Sequence, residues 1–385
     1  MRVAGIMSGT SLDGIDVAIV DIVGSDRAKL LAFHSTPYPP SVRDALLGVS
    51  NANTHTSTIA RLNFVLGELY AAAVIATCER SRIGIESIGL IGCHGQTIFH
   101  EGAPVSFLRR KVASTLQIGE PAVIAERTGI PVVSDFRPRD IDAGGHGAPL
   151  APIVDYRLFR HKRRGRVALN IGGIANLTAI PADAKPRDVI AFATGPGNMV
   201  VDALVERLTR GRRRYDQDGW IAHCAKINRP LLEELLADRY YRLKPPKTAG
   251  REQFGSAFLE RLVATRLHLP DLIATATVLT AAAVAEGIAR FVRPRMAVDE
   301  LIVSGGGAHN LEIMKHLAAF LPGTAVCTSA DYGIEVDAKE AIAFAILASL
   351  TWRRRPSNVP AATGARRAVV LGNITPGNIH RAARV

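Results

Sequence analysis

Three glycine-bearing loops in this chain have the composition to hold phosphate oxygens. They are Ser8-Gly-Thr-Ser-Leu-Asp-Gly14, Gly172-Gly173 and Gly305-Gly-Gly307, and each follows a short β-rich run. Glycine lets backbone N–H groups approach an anion closely and adopt unusual φ. Thr10 and Ser11 add hydroxyl donors to the first loop. Asp13 and Asp16 suit a hydrated Mg2+, which keeps several waters and takes only one or two carboxylates. One such loop reads as an ordinary turn. Three of them, two in a repeated strand–loop–strand setting, point to nucleotide binding. Other routes to that chemistry are missing: the chain has no Gly-Lys-Ser/Thr loop, no complete GxGxxG, no HExxH and no kinase-type His-Arg-Asp. Cys78, Cys93, Cys224 and Cys327 form no CxxC pair, which argues against a zinc ribbon or redox motif and for reduced thiols in a cytosolic protein.

The elements that must position these loops follow from periodicity. Arg2–Met7 and Ile15–Ile22 read as a hairpin around the first loop, with Leu30–His34 as a third strand. Ser57–Arg80 has helical spacing through Leu62, Leu66, Leu69 and Ala73. Ile88–Cys93 and Pro131–Ser134 read as strands, Ala122–Thr128 as a helix and Asp135–Pro149 as a long loop. A second hairpin, Arg166–Ile171 and Ile174–Ile180, surrounds Gly172-Gly173. The recurrence of strand, glycine loop and strand reads as an internal repeat and hence two related lobes. Alternating strands (Val189–Ala191, Leu301–Val303, Val326–Ser329) and helices (Met199–Thr209, Asp271–Phe291, Leu311–Phe320, Asp337–Trp352) place the chain in the α/β class.

At 385 residues and 48% hydrophobic, the chain is long and apolar enough for two packed domains and is not disordered. Its net charge of +12 raises nucleic-acid binding as a question. The basic runs Arg160–Arg166, Arg212–Arg214 and Arg353–Arg355 carry no interleaved aromatics, so they read as solvated turns and helix ends, with no nucleic-acid partner. An anionic small molecule suits the same charge. The stretches Ile273–Ala285 and Ala341–Trp352 are shorter than the ~18–20 residues of a membrane span and read as buried helices, with no membrane partner. The N-terminus lacks the features of a signal peptide.

Ile6-Met-Ser-Gly-Thr-Ser-Leu-Asp-Gly-Ile-Asp16 resembles the opening phosphate loop of the 1,6-anhydro-N-acetylmuramic acid kinases. Further motifs agree in order: Cys93-His-Gly-Gln-Thr97, Leu116-Gln-Ile-Gly119, Asp135-Phe-Arg137, Gly144-Gly-His-Gly-Ala-Pro-Leu150, Asn170-Ile-Gly-Gly-Ile-Ala-Asn176, Thr194-Gly-Pro-Gly-Asn198, Pro245-Pro-Lys247, Ser304-Gly-Gly-Gly-Ala-His-Asn310 and Glu340-Ala-Ile-Ala-Phe-Ala345. The resemblance covers nearly the whole chain. It implies an α/β, two-lobed actin-like (ribonuclease H-like) ATPase fold with a central cleft. Lobe I would take residues 1–150 plus about 340–385, and lobe II residues 151–339. It implies ATP and Mg2+, with Gly9, Thr10, Ser11, Leu12, Asp13, Gly14, Ile15, Asp16, Asn170, Gly172, Gly173, Gly305, Gly306, Gly307 and Asn310 toward the nucleotide and Asp13 and Asp16 toward the metal. It also implies a cytoplasmic homodimer working in peptidoglycan recycling. In the family's reaction, water opens the 1,6-anhydro bridge and O6 takes the γ-phosphoryl group, giving N-acetylmuramic acid 6-phosphate.

One residue departs from that pattern. The water-activating base is expected to be Asp in a Phe-Asp-Thr-Gly-Pro-Gly-Asn run, and here the run is Phe192-Ala-Thr-Gly-Pro-Gly-Asn198. A methyl group at Ala193 accepts no proton, and loss of a general base typically costs ~10²–10⁴ in rate. Three explanations are open: an engineered variant that holds unreacted substrate, a natural homologue that has lost activity, or substitution by another carboxylate. The first is the most economical, since every flanking motif is intact. Glu340 is the second carboxylate expected near the sugar, or equally an acid at a helix N-terminus. Gln96 and Thr97 are candidates for sugar hydroxyls, and Arg137 for the lactyl carboxylate or an ion pair between the lobes. Lys247 is an anion contact or a solvated charge. His146 and Asp142 stand where the family has Gln and a small residue. A non-catalytic binder of ATP and anhydro sugar, or a kinase of another anhydro sugar such as levoglucosan, are the competing functions.

Overall fold

Val3, Ala4 and Ile6 before the first glycine loop and Val17–Val20 after it are buried, and they form an antiparallel pair. In the computed structural model, which describes residues 1–9, 12–24 and 27–378, this pair is β1 (Arg2–Met7) and β2 (Gly14–Val23), with Met7 opposite Asp16. β3 (Arg27–Pro37) adds antiparallel to β2. β4 (Leu90–Cys93) lies parallel to β1. β5 (Gln96–Phe107) and β6 (Arg110–Ile118) form a separate two-stranded hairpin. β7 (Val132–Ser134) is parallel to β4.

The second half repeats this order. β8 (Arg166–Ile171), β9 (Ile174–Ile180) and β10 (Ile190–Pro196) are antiparallel neighbours. β11 (Glu300–Ser304) and β12 (Ala325–Thr328) follow in parallel. The two sheets therefore run β3-β2-β1-β4-β7 and β10-β9-β8-β11-β12, with β13 (Asn373–Thr375) capping β7. This doubled topology is that of the actin-like, ribonuclease H-like ATPase fold. The chain divides into two units, Met1–Leu158 with the chain from Ala338 onward, and Phe159–Asp337. The first division falls within the helix Pro152–Phe159, beyond the 150/151 boundary expected from the sequence.

In the first unit the helix Lys339–Trp352 lies on the sheet, and two glycines make room for it. A Cβ at Gly5 would collide with the Ala341 carbonyl, and one at Gly92 with the Phe344 carbonyl. In the second unit the helix Leu269–Gly287 runs on through a wider turn to Val292, longer than the apolar stretch read from the sequence. This helix and Thr56–Arg80 are long and apolar enough to cross a membrane by length and composition alone. The apolar window of the former is 78% buried inside its unit. The latter turns Leu62, Leu66, Tyr70 and Val74 onto the core at helical spacing. The β5–β6 hairpin and the helix Pro40–Val49 were not expected, and the segment read as a loop contains the short helix Pro138–Asp142. From Ala103 to Lys111 the hairpin is exposed, so it lacks the in–out alternation that marks a half-buried strand.

Candidate functional site

In the first unit the loop between β1 and β2 is stapled from below. Ser8 Oγ donates to Gln96 Oε1 (2.7 Å), and Gln96 Nε2 donates to the Gly9 carbonyl (3.2 Å). Ser8 Oγ also meets Tyr70 Oη (3.0 Å), which in turn meets Tyr38 Oη (3.3 Å). Burial of these phenols pushes both upward, Tyr38 to about 12, so they stay protonated donors. Leu12 closes a turn onto the Gly9 carbonyl with φ 58°, and its side chain and that of Ile15 enter the core. These two residues can therefore offer a ligand only their backbones. A side chain at Gly14 would strike the Thr36 carbonyl. Asp13 is exposed and Asp16 half-buried on β2. Thr10 and Ser11 lie outside the described residues. Among the described residues no three His, Cys, Asp or Glu side chains gather as a metal cluster.

Gln96 is 1% exposed and its amide is spent on Ser8 and Gly9, so the structure gives it a loop-holding role. Thr97 Oγ1 accepts from Gln117 Nε2 (3.2 Å). Gln117 lines a cavity of about 310 Å3, together with His94, Gly95, Glu120, Ser134 and Asp135. The cavity sits at the carboxyl ends of the parallel strands β4 and β7, where open α/β sheets bind ligands. Arg137 stands beside it. Its Nε and Nη2 reach His94 Nε2 (3.2 and 2.8 Å), and its Nη1 donates to the Gly147 carbonyl (2.8 Å). Burial first and Arg137 second hold His94 well below the usual histidine range, so the imidazole is a neutral acceptor. Burial lowers Arg137 to about 10, against the opposing pull of Glu340 and Asp140. Glu340 thus lies within electrostatic reach of Arg137, exposed in the first turn of its helix.

In the second unit Asn170, Gly172, Gly173 and Gly305–Gly307 come together. The Gly172 and Gly173 carbonyls accept from the N–H groups of Asn198 (2.8 Å) and Gly197 (2.9 Å) at the start of the helix Asn198–Thr209. A side chain at Gly197 would meet the Gly172 carbonyl, so only glycine permits this approach. Ser304 Oγ reaches Asn170 Oδ1 (3.3 Å). Gly305 turns with φ +77°, and a Cβ there would crowd Asn170 Oδ1. Added Cβ atoms at Gly306 and Gly307 would lie 3.3 and 3.1 Å from the Asn198 amide. Asn198 is thus a shared member of the cluster. It stands in a quoted motif but was not singled out from the sequence. Asn310 caps the helix Leu311–Phe320, its Oδ1 accepting from Glu312 and Ile313 N–H (both 3.1 Å).

Ala193 lies on β10, at a bulge where the pairing with β9 shifts. It is 2% exposed. Its N–H donates to the Lys247 carbonyl (3.0 Å), and its carbonyl accepts from Tyr240 Oη (2.7 Å). Sequence reasoning missed Tyr240. Lys247 is no solvated charge: it is 8% exposed, with Nζ 4.5, 5.4 and 5.8 Å from the ring centres of Tyr240, Phe291 and Phe192. Burial lowers it to about 8.

A family profile described as anhydro-N-acetylmuramic acid kinase matches residues 1–377. The anhydro-N-acetylmuramic acid kinase of Caldanaerobacter subterraneus subsp. tengcongensis is 45% identical over 381 residues, covering 97% of this chain and 96% of its own. That of Clostridioides difficile is 42% identical over 382 residues, covering 98% of each. Among solved structures, a ROK family glucokinase from Streptomyces griseus in complex with glucose and AMPPNP is 15% identical, covering 91% of this chain and 99% of its own, with a TM-score of 0.40.

Proposed function

Because the chain belongs to the anhydro-N-acetylmuramic acid kinase family, and so to a family of kinases, we propose that it binds ATP and 1,6-anhydro-N-acetylmuramic acid on an intact frame whose water-activating base is missing. Ala193 carries this reading. Its methyl group is buried where the resemblance implies an Asp, and its backbone is clamped by Lys247 and Tyr240.

In the full reaction, water oxygen bonds to the anomeric carbon and its proton passes to the base. The bond from C1 to O6 breaks, and its electron pair stays on O6. O6 then bonds to the γ-phosphorus, and ADP leaves with the electrons of the broken phosphoanhydride bond. Only the first step needs a proton acceptor at position 193. Phosphoryl transfer depends mainly on positioning and charge stabilisation, so loss of the base slows the sugar chemistry first.

In the first unit phosphate oxygens are assigned to the Gly9–Asp16 loop, and in the second unit the turn Asn170–Gly173 is read as a phosphate turn with the adenosine side at Gly305–Gly307. Asn310 acts there through its helix cap. Asp13 and Asp16, two carboxylates with no third beside them among the described residues, suit a Mg2+ that keeps water and phosphate ligands. Such an ion supplies positive charge for the transferring phosphoryl group. Gln96 holds the first phosphate loop, Thr97 holds Gln117 at the wall of the sugar cavity, and Glu340 is the remaining carboxylate for the sugar. Family membership also supports a cytoplasmic homodimer serving peptidoglycan recycling.

Ala193 itself favours a second reading, a protein that binds both ligands without turnover. Titration calorimetry of the chain with ATP and Mg2+, and with the anhydro sugar, is expected to show saturable binding of each. Slow ATP-dependent product formation supports the kinase and none at all supports the binder. Absence of binding by both ligands contradicts the proposal.

A further inference from the structure

The outer half of the β5–β6 hairpin takes no part in the chemistry above. At Gly102 the hairpin is still pressed against the first unit, since a Cβ there would stand 2.5 Å from the His146 carbonyl. Beyond it, from Ala103 to Lys111, every residue is exposed, and neither large sheet pairs with the hairpin. Val105 sits opposite Val112, Ser106 opposite Lys111 and Phe107 opposite Arg110, so Leu108 and Arg109 are the two residues of the turn. Phe107 is 63% exposed and Leu108 81%, and Val105 is exposed on the same face of β5 as Phe107. Arg109, Arg110 and Lys111 follow at once, all exposed. No carboxylate occurs from Gly102 to Gly119, so the outer hairpin has none of its own to balance these three charges. The turn also runs against residue preference. Leu108 and Arg109 both have positive φ, 47° and 62°, the pattern of a type I′ turn, which favours Asn-Gly. A leucine held in the left-handed region with most of its surface in water gains nothing from the fold of this chain.

We infer that this hairpin tip docks on an anionic lipid surface. Phe107 and Leu108 enter the boundary between head groups and acyl chains, and Arg109, Arg110 and Lys111 pair with lipid phosphates. Charge and side-chain type decide among the occupants. A second copy meeting tip to tip would bring three cations against three, with no carboxylate on either side. A single-stranded nucleic acid would accept the cations, but it stacks its bases on successive aromatic rings, and this tip offers one ring beside two aliphatic side chains. An anionic leaflet satisfies both halves of the tip at once. The contact needs no spanning helix, and it replaces the expectation of no membrane partner. Each basic side chain near such a leaflet strengthens binding by about fivefold, so three give on the order of a hundredfold. That attraction falls off within a Debye length and weakens as salt is added.

The test is sedimentation of the full chain with vesicles of phosphatidylcholine alone and of phosphatidylcholine mixed with phosphatidylglycerol, at about 0.02 and 0.15 M salt. The chain is expected to bind the anionic vesicles at least about tenfold more tightly than the neutral ones, and less tightly at the higher salt. Leu108→Asn with Arg109→Gly installs the residues the turn prefers. Its thermal midpoint is expected to match or exceed that of the parent chain, while its affinity for anionic vesicles falls about tenfold or more. Phe107→Ser is expected to weaken vesicle binding about tenfold and to keep its salt dependence. Arg110→Gln with Lys111→Gln is expected to weaken it about 25-fold and to flatten that dependence. Equal binding to the two kinds of vesicle, binding to neither, or binding unchanged in all three variants overturns the inference. Binding of single-stranded RNA, or self-association lost in the same variants, with no binding to vesicles assigns the tip to another partner and also overturns it.

Discussion

A carboxylate introduced at position 193 would stand on a backbone held from both sides, by the Lys247 carbonyl and the Tyr240 hydroxyl. Tyr240→Phe removes the second hold and leaves a buried carbonyl unpaired. The expected cost is about 1–3 kcal/mol, read as a lower urea midpoint with an unchanged slope. At Glu300, burial pushes the carboxyl upward, but hydrogen bonds from Tyr332 Oη (2.7 Å), Arg164 and Arg166 Nε (2.6 Å) win and hold it below the ordinary 4.5. A carboxylate lowered in the folded state adds stability that is complete above its unfolded value and lost as pH falls through its folded one. Glu300→Gln is therefore expected to flatten the loss of stability below about pH 4.5, measured by denaturation across that range. At this scale Gly14 and Gly305 were legible in their loops, where a side chain would strike the Thr36 carbonyl at the first and crowd Asn170 and Ile171 at the second. The surroundings of Lys247 were not, because Phe192, Tyr240 and Phe291 meet around it only through the packing of separate elements.

The helix Lys339–Trp352 depends on contacts that two small residues allow. Gly92→Ala would drive a methyl group into the Phe344 carbonyl. An expected loss of about 1–3 kcal/mol should appear in thermal unfolding. The same helix begins with Lys339, 2% exposed, paired with Asp155 at 2.9 Å. Asp155→Ala leaves a buried ammonium without its partner carboxylate, and about 3–5 kcal/mol is expected to be lost. Strands with continuous apolar runs, such as β1, β8 and β11, announced themselves in the sequence. The β5–β6 hairpin did not, since its outer half faces water and carries Glu101, Gly102, Ala103 and Pro104 in place of alternating apolar residues. The helix Pro138–Asp142 was hidden by its brevity and by the glycines that follow it.

Across the molecule, two units with one strand order explain why the chain shows the same strand–glycine–strand pattern twice. That pattern was legible because each hairpin closes through a glycine loop directly after a buried strand. The later parallel strands β4, β7, β11 and β12 are short, and their place in the order is set by helices that pack across them. The chain belongs to a family of kinases, and the proposed departure at Ala193 concerns the opening of the sugar. The most direct measurement is ATP-dependent opening and phosphorylation of 1,6-anhydro-N-acetylmuramic acid by the chain and by Ala193→Asp, with Mg2+ and both substrates saturating. A kinase frame lacking only its base predicts a gain of about 10²–10⁴ in kcat for the Asp variant. An Asp variant that binds both ligands and turns over no faster than the parent chain would contradict it.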